Sequence, residues 1–351
     1  MFLTSEKVRE RAREIGFDLC GVAPADAFPE LEFLSEWIAR GYAGTMGYLP
    51  RTKERRSDVR RVLPSARSVI MTGSVYNTGQ PYSTERHDAT RGEVARYAWS
   101  EDYHSVIGGR LEALIAWMRE QHPDPFEAMG YVDTGPVQER VYAQYAGLGW
   151  IGKNTCLINP EVGSWMLLGA IVCSLPLQPD VPGLDQCGTC TLCLEACPTG
   201  AFVEPHVLDA TRCISYLTIE YRGSIPLDHR DRIGNHLFGC DICQEVCPWN
   251  GAPLGSSDAS WSSREDVNLA SLTGLWRQTD DELAGFIGET PMTRAGVTGL
   301  RRNLAVALGN SNDPAALQAL DERGDELTRD PLVAEHVEWA KVKLALLSRR
   351  L

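Results

Sequence analysis

Residues 187–198 read CGTCTLCLEACP, and residues 240–248 read CDICQEVCP. The first stretch places Cys187, Cys190, Cys193 and Cys197 in the spacing CxxCxxCxxxCP. The second repeats the end of that run with Cys240, Cys243 and Cys247, and Cys213, 27 residues before Cys240, stands in for the missing first cysteine. In bacterial ferredoxin runs of this kind three close thiolates hold one [4Fe–4S] cube and the fourth reaches a different one. That logic pairs Cys187, Cys190, Cys193 and Cys247 on one cluster, and Cys197, Cys213, Cys240 and Cys243 on a second. Zinc also accepts thiolates in CxxC spacing, but the extended run occurring twice favours iron–sulfur.

Those eight account for most of the 11 cysteines; Cys20, Cys156 and Cys173 stand singly in apolar contexts and read as core residues. The start, MFLTSEKVRERAREIGF, scatters charge through its length and lacks a secretory pattern. The most apolar stretch, Trp165 to Cys173, is about nine residues against the roughly 20 that a membrane helix needs. The expectation is therefore a soluble cytoplasmic protein with no membrane segment, a monomer, in a compartment that keeps thiols reduced and available as ligands.

The length of 351 residues suggests two to three domains at roughly 150 residues each. With 43% apolar and 23% charged residues, the chain can bury a core, which excludes a disordered chain, a collagen-like repeat and a small disulfide scaffold. Residues 1–175 alternate helical and strand patterns and read as a mixed α/β (α+β) domain. Ser5 to Ile15 is an amphipathic helix, and Ser68 to Val75 a buried strand. Val106 to Met118 is a helix with Ile107, Leu111, Leu114, Ile115 and Met118 on one face. Tyr131 to Asp133 reads as a short strand, with Pro136 opening a helix towards Tyr145, and Ser164 to Cys173 supplies another strand. A connector with Pro176, Pro179 and Pro182 leads into a ferredoxin-type domain over 176–255. The polar stretch NGAPLGSSDAS (250–260) precedes a helical region, 256–351. There Val333, Val337, Ala340 and Leu344 keep helical spacing, and 301–310 and 334–343 read either as two stacked helical-repeat units or as an ordinary helical domain.

Two clusters form a wire for single electrons, and a wire needs a terminus that does chemistry. The sequence has no Walker motif, no GxGxxG and no HExxH. Asp102 to Gly108, DYHSVIG, approaches the cobalamin-binding DxHxxG pattern but carries one residue too many before the glycine, so His104 is not assigned as a cobalt ligand.

Five further segments carry a family resemblance: LPRTKERRSDVRRVLP (49–64), YVDTGPVQER (131–140), AGLGWIGKNTCLI (146–158), CISYLTIEYRG (213–223) and FGCDICQEVCPWN (238–250). They resemble the epoxyqueuosine reductase family, and the likeness extends over essentially the whole chain. The resemblance implies a cobalamin-dependent iron–sulfur oxidoreductase that performs the last step of queuosine synthesis on tRNA. It also implies a nitroreductase-like cobalamin domain akin to that of reductive dehalogenases, the two-[4Fe–4S] ferredoxin domain, and a HEAT-like helical C-terminal domain. Asp133 matches the family's catalytic acid. Donating a proton near neutral pH would require an apolar pocket or a nearby negative charge to raise its pKa; the alternative is that Asp133 merely caps the following helix. Arg56, Arg96, Tyr97, Asp133, Lys153, Asn154 and Thr155 fall in segments resembling the cobalamin pocket. Ser215 and Asp241 join them by chain proximity to Cys213 and Cys240, and Arg222 is a tRNA-contact candidate. Removing an epoxide oxygen as water consumes two electrons, so an external low-potential donor is implied. The alternatives are a cobalamin reductase acting on a small molecule, and an electron-transfer module without cobalamin.

A formal charge of -13 argues at first sight against a polyanionic partner. Charge is segregated, however. Between Arg40 and Arg67 eight basic residues, Arg40, Arg51, Lys53, Arg55, Arg56, Arg60, Arg61 and Arg67, face only Glu54 and Asp58, a net +6 that leaves -19 for the remainder. Such a segment can follow a tRNA backbone or be a solvated helix face.

Overall fold

The structure, a computed structural model, describes residues 3–251, 255–264, 267, 269–322 and 330–348. Residues 252–254 of the polar stretch after Asn250 lie outside the described residues. Strands β1 (Leu19–Pro24), β2 (Ser68–Val75), β3 (Ala128–Tyr131) and β4 (Met166–Cys173) form one sheet in the order β1-β2-β4-β3, with every neighbouring pair antiparallel. All of β2 is buried, because it lies inside the sheet and its alternate side chains serve different cores. Val69, Met71 and Val75 join Ala170, Val172, Val141 and Tyr142 on one face, while Ile70 and Ile171 join Val8, Ile107, Leu111 and Leu114 on the other.

Helices α1 (Ser5–Ile15), α3 (Tyr103–Gln121) and α4 (Glu139–Tyr145) cover the sheet, whereas α2 (Tyr48–Arg56) carries no buried residue. The buried positions of α3 are Ile107, Leu111, Leu114, Ile115 and Met118, the face expected from spacing. The helix begins three residues earlier than expected, since Asp102 caps it by accepting from the His104 amide at 3.0 Å.

Around residue 133 the chain departs from the expected strand followed directly by a helix. Pairing of β3 with β4 stops at Tyr131 opposite Ala170. Asp133 then enters the left-handed region at φ 52°, which an extended strand cannot accommodate. Helix α4 starts only at Glu139, behind Gln138, which makes no side-chain cap. Asp133 therefore does not cap it; the Asp133 amide instead donates to Glu139 Oε1 at 2.7 Å, and that bond draws the chain round.

In the cysteine-rich stretch the short helices Leu192–Ala196 and Ile242–Glu245 pack together, and α5 (Ile214–Ile219) follows Cys213. Beyond it come helices Leu272–Arg277, Asp280–Ile287, α6 (Gly296–Asn310), Pro314–Glu322 and α7 (Pro331–Ser348). Helices α6 and α7 lie close at Gly309, where an added Cβ would stand 3.0 Å from Ala340 Cα and 2.7 Å from the Trp339 ring. The hydrophobic cluster of these helices also takes in Val94, Ala98 and Trp99 and, from the cysteine-rich stretch, Leu237 and Phe238. One core thus spans all three parts. Among the described residues no helix is long and apolar enough to cross a membrane.

Helix α6 is buried from Gly299 to Gly309 although it contains Arg301, Arg302 and Asn303. Their role follows from the carbonyls that a helix end leaves unpaired. Arg302 donates to Leu217 O, Tyr221 O and Gly223 O, and Asn303 Nδ2 to Thr218 O and Leu237 O. Together they close the C-terminal end of α5 with a cation on the favourable side of its dipole. Burial lowers the Arg302 pKa only to about 10, so the guanidinium stays charged at neutral pH. Arg302→Ala should leave three carbonyls without partners and cost about 3 kcal/mol, taking roughly 1 kcal/mol for each. The measurement is the urea unfolding midpoint, and an unshifted midpoint would contradict this account.

Candidate active site and thiol centres

The eight motif cysteines come together as two groups of four. Burial raises the Cys193 thiol to about 11, and the charges of Cys247, Cys187 and Cys190 add to the effect. Cys247 is likewise raised by burial and by Cys187 and Cys190. In the other group Cys213 is raised by burial and by Cys197, and Cys240 by burial, Cys213 and Cys197. Cys243 interacts first with the Cys156 thiol and also with Cys240 and Cys213. Cys197 and Cys247 thus each join the other run's cysteines. Two sets of four soft sulfur donors suit two [4Fe–4S] clusters. Among the described residues no group of three or more His, Cys, Asp or Glu side chains is arranged to hold a single metal ion. Of the cysteines read as core, Cys173 is fully buried, whereas Cys156 lies against Cys243.

Asp133 projects from the loop between β3 and α4 with its side chain 63% exposed. His104 lies against it, with Nε2 3.5 Å from Asp133 Oδ2 and Nδ1 2.7 Å from Asp102 Oδ1. Both ring nitrogens therefore face carboxylates. The Asp133 contact raises the His104 pKa, with Asp102 adding to it, and the reciprocal contact lowers that of Asp133. The expected upward shift of Asp133 is thus not what this protein environment produces, because an imidazole faces the carboxyl directly. The upward shift falls on the neighbouring Glu139, which burial and the charge of Asp133 push to about 8. Tyr103, half-buried and close to the same negative charge, is also raised.

The wall around Asp133 is drawn from several elements. Tyr97 stacks edge-on to Tyr103 with ring centroids 6.0 Å apart, and it feels the charges of both Asp241 and Asp133. Tyr97 is thus close both to the acid and to Asp241, the neighbour of Cys240. Arg56 lies near Asp133 and Glu139, and Tyr48 of the same helix α2 faces Glu220, Arg294 and Asp133. Arg294 pairs with Glu220 at 2.9 Å and lies over the Tyr48 ring. Sequence reasoning missed Tyr48, Tyr103, Glu139, Glu220 and Arg294. Glu139, Tyr103 and Glu220 sit within quoted motifs, but Tyr48 and Arg294 approach the site only through packing of distant segments.

Other expected positions take different surroundings. The Arg96 guanidinium is held by the carbonyls of Thr78, Gln80 and Pro81 among the rings of Tyr82, Trp99 and Trp165, and only its amide reaches Asp241, at 2.7 Å. Asp241 is buried, which lifts its pKa to about 7. Lys153 Nζ donates to Gly188 O and Cys190 O, Asn154 Nδ2 to Cys243 O, and Thr155, at φ 65°, accepts from Arg140. This turn therefore braces both thiol groups. Ser215 hydrogen-bonds Cys213. Arg222 is exposed and donates to Ile219 O, at 2.6 Å, and to Arg294 O.

Ion pairing thins the basic segment. Arg40 pairs with Glu36 and Glu204, Arg60 with Asp58, and Arg61 with Glu54. Arg51, Lys53 and Arg55 remain exposed on α2, and no ion pair to them occurs among the described residues.

Two family profiles match the chain. The one described as "Epoxyqueuosine reductase QueG, DUF1730" covers residues 56–134, and the one described as a "4Fe-4S double cluster binding domain" covers 186–250. The chain is 41% identical over 339 residues to the epoxyqueuosine reductase of Xanthomonas campestris, spanning 95% of this chain and 94% of that protein. It is 35% identical over 338 residues to that of Escherichia coli, spanning 96% and 88%. Among solved structures it resembles the Bacillus subtilis epoxyqueuosine reductase with its catalytic aspartate loop swung out of the active site. That match has a TM-score of 0.86 and 32% identity, covering 97% of this chain and 90% of that one. It also resembles an epoxyqueuosine reductase crystallised with an epoxyqueuosine-modified tRNA stem loop, with a TM-score of 0.82 and 30% identity, covering 97% and 98%.

The contact between Asp133 and His104 has a defined pH window. Asp133, depressed, contributes stability above the unfolded carboxylate pKa and loses it as pH falls through its folded value. His104, raised, contributes below the unfolded imidazole pKa and loses it as pH rises through its folded value. Both contributions are complete between about pH 4 and 6.5. The gap in urea midpoint between wild type and His104→Gln should be widest in that window and close on either side. A gap independent of pH would mean that the pair is not ionised as described.

Proposed function

The chain belongs to the epoxyqueuosine reductase family, and we propose that it reduces the epoxide of epoxyqueuosine in tRNA to the alkene of queuosine. Loss of the oxygen as water takes up two electrons and two protons. Cobalamin, when bound and reduced, supplies the low-potential reductant at the reacting carbon. Cys187, Cys190, Cys193 and Cys247 hold one [4Fe–4S] cluster and Cys197, Cys213, Cys240 and Cys243 the other, relaying single electrons from an external low-potential donor. The mutual charge of the thiols within each four supports this assignment. Cobalamin belongs in the cleft that Asp133 shares with Tyr97, one tyrosine away from Asp241 and the second thiol group. Arg56 and Tyr97 border that space with Asp133, Asp241 adjoins Tyr97, and Arg96 acts through its hold on Asp241, while Lys153, Asn154, Thr155 and Ser215 brace the thiol groups behind it.

Asp133 is the proton donor to the departing oxygen. The observation that carries this role is the His104 contact: Nε2 stands 3.5 Å from Asp133 Oδ2, and the contact raises the His104 pKa while lowering that of Asp133. The two side chains hold one transferable proton as a unit, kept in orientation by Asp102 on Nδ1. Arg51, Lys53 and Arg55 provide phosphate contacts for the tRNA backbone, an attraction that weakens with salt. Arg222 borders the same side through its contact with Arg294. We assign residues 1–175 to a nitroreductase-like cobalamin domain, 176–255 to the two-cluster domain and 256–351 to a HEAT-like helical domain, in a cytoplasmic monomer.

Incubating epoxyqueuosine tRNA with the reconstituted, cobalamin-loaded protein and a chemical reductant should yield queuosine by nucleoside mass spectrometry, and without cobalamin none. Asp133→Asn should keep both clusters by absorbance and lower turnover by roughly 100-fold or more, the usual range for a lost general acid. No queuosine from the loaded wild type would overturn the function, and an active Asp133→Asn would remove Asp133 from the chemistry.

A further inference from the structure

The backbone of Asp133, unlike its side chain, has few fixed partners among the described residues. Its backbone lies at φ 52°, a left-handed conformation that costs an aspartate roughly 1 kcal/mol and persists only when surroundings enforce it. The loop is fixed behind it: Arg56 donates to Val137 O at 3.2 Å, Gln138 Nε2 donates to Leu31 O and Arg56 O at 3.0 and 3.1 Å, and Val137 is buried. It is fixed ahead of it by the ladder that ends at Tyr131. Among the described residues, the only side-chain hydrogen bond to the backbone of 133–136 runs from the Asp133 amide to Glu139 Oε1, at 2.7 Å. Glu139 is the first residue of α4, so the acceptor is carried on a rigid element while the acid is carried on the loop.

We infer that Glu139 is the positioning residue for the catalytic acid: its carboxyl oxygen latches the Asp133 amide and so holds the Asp133 side chain against His104. The inference rests on the reading of Asp133 as the proton donor. Glu139 touches the backbone of Asp133, so it acts through that residue and not on the substrate. What the latch needs is an acceptor oxygen at the right reach. Glutamine offers one in the same place, aspartate is one methylene short, and alanine has none.

The test compares Glu139→Gln, Glu139→Asp and Glu139→Ala, each with clusters and cobalamin loaded, on an epoxyqueuosine tRNA stem loop. Losing one hydrogen bond to a backbone amide should lower kcat about tenfold in the Ala and Asp variants, with KM within about twofold of wild type, because substrate binding does not use the latch. Glutamine should restore most of kcat. Peptide-resolved amide hydrogen exchange over 132–136 should be faster in the Ala and Asp variants and unchanged in the Gln variant. The Asp variant keeps a carboxyl and guards against loss of folding in the Ala variant. Wild-type kcat and exchange in the Asp variant would overturn the latch, as would equal losses in the Asp and Gln variants. Asp133→Asn is run in parallel: if it stays active, the acid assignment fails, while the exchange comparison still decides the latch.

Discussion

Cys197 stands with the cysteines of the second run and Cys247 with those of the first, and this exchange constrains the rest of the molecule. Two segments roughly fifty residues apart in sequence must lie side by side, which the packing of helices Leu192–Ala196 and Ile242–Glu245 accomplishes. The surrounding polar groups are then committed. The turn at Lys153 and Asn154 ties itself to Gly188, Cys190 and Cys243, and Asp241, next to Cys240, takes the Arg96 amide. Through Arg96 the arrangement continues to residues 77–81, and through Arg302 and Asn303 the helical C-terminal region closes the end of the helix that follows Cys213. A thiol centre of this type is therefore built into three parts of the chain at once.

The proton side of the chemistry shows the same economy of means. Two carboxyls, Asp133 and Glu139, share one small region, and their pKa values move in opposite directions: Asp133 down, by His104, and Glu139 up to about 8, by burial and the charge of Asp133. Divergent shifts in neighbouring titratable groups mark a division of roles. Here one carboxyl faces the cleft with an imidazole behind it, and the other faces a backbone amide. A carboxylate surrounded only by water would show neither property.

Net charge proved a poor guide because ion pairing and segregation act before any partner does. Arg40, Arg60 and Arg61 are already paired within the protein. Arg301 and Arg302, which count as basic in the C-terminal region, are buried and hold carbonyls. The usable positive surface of the basic segment comes down to a few side chains on α2, far fewer than its composition suggests.

The sequence alone made legible whatever depends on local spacing: the two cysteine runs, the helix Ser5–Ile15, the strand Ser68–Val75 and the buried face of Tyr103–Gln121. It also pointed to Asp133, through the motif around it. It did not reveal the left-handed turn at Asp133, since that turn is stabilised by Glu139 and His104 rather than by residues adjacent in the chain. His104 was visible only as an imperfect motif; its meeting with Asp133 requires α3 and the β3–α4 loop to be packed on one sheet. Glu220 lies inside a resembling segment but only packing sets its role, and Arg294 carries no signal, because their place near the cleft is set by how α5 and the C-terminal helices dock. Periodicity and ligand spacing are properties of the chain, whereas the direction of a pKa shift depends on which groups tertiary packing brings within a few ångströms.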